Sequence, residues 1–148
     1  MSVSISGNFN ALKDLVNTLN ELVKKDVFVG IPEEANKSLE DQPSFNMASL
    51  AAVLEFGNDH IPESPFLRQT LNDNREKYVS MFVNLFKKGV EPEKIYEQLA
   101  LIAQADVQEN IVRGNWVPNN PKTIKRKGSS KPLIDTGKLR QSIKGIVR

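Results

Sequence analysis

One histidine and no cysteine leave this chain a narrow chemical repertoire. The histidine, His60, stands in a Gly57-Asn58-Asp59-His60 turn, with Asp59 and Glu63 beside it. Such a group holds a metal or relays a proton only when further ligands converge on it, and the chain has neither a second His nor a thiolate to send. No glycine-rich phosphate loop is present, and no serine lies in a nucleophile-elbow pattern. The carboxylates are scattered over polar helix faces and mark no general acid–base pair. The sequence therefore predicts no enzyme, no metal and no cofactor. Its clearest chemical concentration is basic: Lys122, Lys125, Arg126, Lys127 and Lys131 follow Trp116 in a proline-rich stretch. That combination suits phosphate contact with some stacking, or docking on a carboxylate-rich protein surface. It comes without a helix suited to reading a DNA groove, so any DNA contact would be independent of base sequence.

Charge is unevenly divided. Residues 122–148 hold nine Lys/Arg and one acid, a balance of +8, while residues 1–121 hold eleven basic and seventeen acidic residues, a balance of −6; together they give the net +2. An acidic body with a basic tail predicts head-to-tail self-association or contact with a polyanion. At 148 residues, 39% hydrophobic and 26% charged, the chain has material for a single domain over 1–148 with a modest core. No apolar run approaches the ~18 residues of a membrane span. Met1 to Ser6 lacks the basic and apolar regions of a signal peptide, which predicts a protein made in the cytoplasm and left unprocessed.

The elements that carry these residues follow from periodicity. Ser2 to Ser6 alternates with period two and predicts a short strand. Leu12, Leu15, Val16, Leu19, Leu22 and Val23 recur at helical spacing, with Asn8 or Asn10 as cap and Lys24-Lys25 near the partly negative end. Val27 to Ile31 is a β-branched and aromatic run bounded by Gly30 and Pro32, a second strand. Residues 33–45 show no period and predict a mobile loop. Asn46 to Phe56 predicts a helix closed by Gly57. Ser64 as N-cap and Pro65 as first residue open a further helix to about Lys88. Pro92 to Arg113 forms another, antiparallel to it, in which Asp106 either faces outward or pairs with Arg68 or Arg75. After the basic loop, 115–131, Leu133 and Ile134 anchor a turn in which Asp135 and Thr136 cap a short helix and Gly137 eases the bend. Leu139 and Ile143 share its apolar side, and Ile143 to Arg148 predicts a last strand joining the N-terminal ones. The expected class is α+β: a small mixed or antiparallel sheet packed by the N-terminal helix and the long helical hairpin, with two long flexible loops.

Five segments occur in a telling order: Val27 to Pro32, Leu50 to Gly57, Ile61-Pro62 with Pro65-Phe66-Leu67-Arg68, Asn119 to Gly128, and Pro132 to Ile143. In this order they resemble the tail-completion and head–tail joining proteins of long-tailed bacteriophages. That family includes the minor tail protein Z of lambda-like phages, with the virion-morphogenesis proteins of Mu-like phages more loosely related. The resemblance covers roughly Val27 to Ile143, and Pro65, Phe66, Arg68, Asp135, Thr136, Gly137 and Leu139 are its motif residues here. It implies a virion protein of the neck, assembled in the host cytoplasm, whose copies form a ring around the DNA channel. Its expected partners are further copies of itself, the tail tube or terminator protein, head-side connector proteins and, electrostatically, the packaged DNA; no membrane and no catalytic residue is implied. On that reading the basic loop docks on the next copy or lines the channel. The competing reading is a non-sequence-specific DNA-binding protein acting through the same loop.

Overall fold

The computed structural model describes residues 9–38, 44–114 and 137–148. The predicted strand at Ser2 to Ser6, the whole of the basic loop 115–131 and the caps Asp135 and Thr136 lie outside them. The described elements are α1 (Phe9–Leu22), β1 (Val27–Gly30), a 3-10 turn (Glu33–Ala35), α2 (Met47–Phe56), α3 (Phe66–Asp73), α4 (Arg75–Lys87), α5 (Pro92–Arg113), α6 (Gly137–Ser142) and β2 (Lys144–Val147). The class is α+β, with a small antiparallel sheet and a predominance of helix.

β1 and β2 pair antiparallel, with Val27 opposite Val147, Phe28 opposite Ile146, Val29 opposite Gly145 and Gly30 opposite Lys144. Asp26 and Arg148 extend the ladder by exchanging backbone hydrogen bonds of 2.6 and 3.0 Å. α5 crosses the inner face of this sheet and also packs on α3 and α4, which makes it the central helix. Its buried residues, Ile95, Leu99, Ala100, Ala103, Val107 and Ile111, follow the helical period. At Gly145 the sheet and α5 meet backbone to backbone: a Cβ there would lie 2.0 Å from the Ala100 carbonyl oxygen. The Gly145 N–H donates to Gln104 Oε1 at 2.9 Å. The expectation that the N-terminal helix covers the sheet is therefore corrected. α1 instead touches α5, through its C-terminal end, where Leu22 is buried and its carbonyl accepts from the Tyr96 hydroxyl.

The core gathers Met47, Leu54, Phe66, Val107, Ile111, Leu139 and Ile143 from four parts of the chain. Leu139 and Ile143 enter it together, as their four-residue spacing predicts. Gly137 opens α6, but a Cβ at that position would meet nothing, and its backbone is not left-handed. The bend does not depend on this glycine.

Two further expectations change. The helix from Pro65 to about Lys88 is two helices, broken at Asn74. The Asn74 side chain donates to the Thr70 carbonyl at 2.8 Å and shares that acceptor with its own backbone N–H at 3.1 Å. Within the described parts of the expected mobile loop, 33–38 and 44–45, residues 36 and 37 are tied to α2. Asn36 Oδ1 accepts from Ala48 N–H, Met47 N–H donates to the Lys37 carbonyl, and Asn46 Oδ1 caps α2 by accepting from Ser49 N–H. Asn10 lies inside α1 rather than capping it.

Candidate functional site

The motif halves Leu50 to Gly57 and Ile61 to Arg68 meet in a clamp centred on Glu55. This residue closes α2 with its carboxylate buried, 6% exposed against 47% for the Arg68 side chain. α3 begins eleven residues later, and the N–H groups of its first turn need acceptors. Glu55 Oε2 accepts from Leu67 N–H and Oε1 from Arg68 N–H, both at 2.9 Å. Arg68 Nε donates to the same Oε1, and its second guanidinium nitrogen donates to the Glu55 carbonyl, again at 2.9 Å. The guanidinium lies 4.7 Å from the centre of the Phe56 ring and 3.5 Å from Glu63. A negative carboxylate at the partly positive end of α3 is electrostatically favoured, and the two-point contact with arginine fixes its direction.

The cap of α3 is thus supplied from another helix. Ser64 is buried and uses its N–H on the Leu54 carbonyl at 2.7 Å, while Pro65 occupies the cap position with no side-chain hydrogen bond. This corrects the expectation that Ser64 caps and Pro65 is the first helical residue. The sequence did hold a signal. Glu55 sits in the last turn of its helix and Arg68 in the first turn of the next, each on the wrong end for its own helix dipole. Two such misfits thirteen residues apart satisfy each other.

Between the halves, Gly57 adopts φ +69°, and a Cβ there would fall 2.7 Å from both Glu63 N and Ile61 O. Asn58 Oδ1 accepts from His60 and Ile61 N–H at 2.9 and 2.8 Å. These bonds place His60 on an exposed tip, and no group of three metal-ligating side chains occurs among the described residues. With both of its oxygens engaged, Glu55 acts as a positioning group for the loop and α3.

A second polar cluster joins the hairpin. Asp106 accepts from Lys77 Nζ at 2.8 Å and from the Tyr78 hydroxyl at 2.7 Å. The partners named from sequence, Arg68 or Arg75, are incorrect: Arg68 is held by Glu55, and the helical phase brings Lys77 and Tyr78 to Asp106 instead. Burial, with the Asp106 carboxylate beside it, raises the Tyr78 hydroxyl well above its usual pKa of 10.0. A raised pKa favours the protonated folded form, so stability is fully present below pH 10 and falls as pH rises beyond it. Alkaline denaturation curves are expected to show this loss. Tyr78→Phe should flatten the slope while lowering stability at neutral pH by about 1 kcal/mol.

Of the residues expected to form the site, Pro65, Phe66, Arg68, Gly137 and Leu139 are described. Phe66 and Leu139 share the core and Arg68 the clamp, while Pro65 occupies the cap position of α3 and Gly137 opens α6. Asp135 and Thr136 lie outside the described residues, as do Trp116, Lys122, Lys125, Arg126, Lys127 and Lys131. No described helix is long and apolar enough to cross a membrane. Compared with protein-family models, with curated proteins and with solved structures, the chain matches none.

Proposed function

We propose that this chain is a structural virion protein of a long-tailed phage, acting at the head–tail junction as a ring that completes the tail or joins it to the head. One observation carries the reading. Segments far apart in sequence, in the order the neck proteins show, converge on a single core and a single clamp. Val29 and Ile31, Leu54 and Glu55, Phe66 and Arg68, and Leu139 and Ile143 hold one another in place. Their polar groups bind the body together, and the remaining faces are left for partners. Residues 122–131 carry five basic and no acidic residues against the −6 of residues 1–121, which supplies complementary charge for a repeated head-to-tail contact, the kind that closes into a ring. In this mechanism the basic segment of one copy docks on the acidic surface of the next, or faces DNA in the channel.

Charge reversal tests it. The triple variant Lys125→Glu, Arg126→Glu, Lys127→Glu is expected to fold with unchanged helix content and to fail in neck assembly and tail joining. Normal joining would overturn the role of the basic segment. The +8 balance also favours a second reading, non-sequence-specific DNA binding. Under it, affinity for DNA of any sequence would fall steeply with salt and would drop in the same variant.

A further inference from the structure

α1 carries a seam that the described residues leave exposed. Phe9, Leu12, Val16 and Leu19 of α1, with Val23 in the turn that follows it, are spaced by three, four, three and four residues, and they are 65, 56, 47, 47 and 80% exposed. That alternation is the 3.5-residue repeat by which two helices pack along a shared line, and it is narrower than the stripe a helix lays on a sheet. The neighbouring position Leu22 is the one that packs on the body. A helix of fourteen residues, about 21 Å long, is marginal in water without an apolar face to pack on.

We propose that this seam pairs with the same seam of a second copy, antiparallel, about a two-fold axis. Three observations select that occupant. Charge does not oppose it: the seam is flanked by Lys13 and Asn20 on one side and by Leu15 and Leu22 on the other, while Asp14 and Glu21 sit on the far side of the helix. Orientation follows from the body. Leu22 and the Lys25–Glu93 ion pair fix the C-terminal end of α1 to α5, so antiparallel pairing sets the two bodies at opposite ends of the helix pair. Area sets the strength. The exposed parts of these side chains amount to roughly 500 Å² per copy, so a pair buries on the order of 1,000 Å², the lower edge for a specific interface. The dimer is accordingly weak. This contact stands independently of the neck reading, since it uses neither the basic segment nor the clamp.

The test is sedimentation of the full chain over a concentration series, beside the variant Leu12→Glu, Leu19→Glu. Both leucines are exposed, so circular dichroism should show the variant folded. The expected result is a monomer–dimer equilibrium in the natural chain and a shift of its midpoint by more than about a hundredfold in the variant. In a second variant, Val16→Cys, a short bifunctional maleimide should join two chains, because the parent sequence has no cysteine. A monomer at every concentration would overturn the proposal. So would a dimer that persists in the double variant, or assembly into larger closed species through the same seam.

Discussion

Glu55→Ala is expected to lower the unfolding free energy by about 3 kcal/mol, a large share of the 5–15 kcal/mol typical of a domain. The substitution strands the first N–H groups of α3 and leaves the Arg68 guanidinium without its main partner. Breaking a well-buried ion pair from one side costs about 3–5 kcal/mol. Arg68 is half exposed and can regain water, which brings the expected cost to the lower end of that range. Glu55→Gln keeps the size and one acceptor and should cost about 1–2 kcal/mol. Urea denaturation reads both: the midpoint should fall with an unchanged slope, because the folded surface is preserved. A Glu55→Ala midpoint equal to the parent's would mean that the carboxylate does not hold the loop and α3.

The second large effect is at Gly145. A Cβ there would lie 2.0 Å from the Ala100 oxygen, 2.5 Å from its carbonyl carbon and 3.0 Å from its Cα, all backbone atoms of the central helix. No rotamer change relieves a backbone clash. Gly145→Ala must lift β2 from α5, stretching the Gln104 hydrogen bond and loosening Ile143. The expected loss is about 3 kcal/mol, seen as a fall in melting temperature of roughly 10 °C. Gly30 is the control on the partner strand. A Cβ there meets nothing within 4 Å, so Gly30→Ala should change stability by less than about 0.5 kcal/mol. Equal effects at the two glycines would rule out the close approach as the cause.

These two sites show where sequence reading succeeds and where it stops. Local pattern sufficed for α1, α2, α5, β1 and β2, because each carries its own period and its own punctuation. Leu139 and Ile143 were legible as core for the same reason. The break at Asn74 is hidden because the apolar phase runs on from Leu71 to Tyr78 and Phe82, and nothing in that phase says that an Asn side chain will fold back to share the Thr70 carbonyl. The cap of α3 was missed because cap rules look one to three residues away, whereas the acceptor comes from Glu55, twelve residues before Leu67. Gly145 is invisible to any local rule. Its requirement arises from a helix forty-five residues earlier, and from the sheet lying flat against it. Asp106 was rightly singled out beside the apolar face of α5. Its partners, however, depend on the relative phase of two helices, which spacing within either one does not set.

The measurement closest to the central proposal is electron microscopy of phage particles assembled with and without this chain. The neck reading predicts that its loss leaves separate filled heads and finished tails, and that adding the protein back joins them. Tails of irregular length would assign it to termination of the tube within the same structure. Normal, infectious particles formed without it would contradict the proposal.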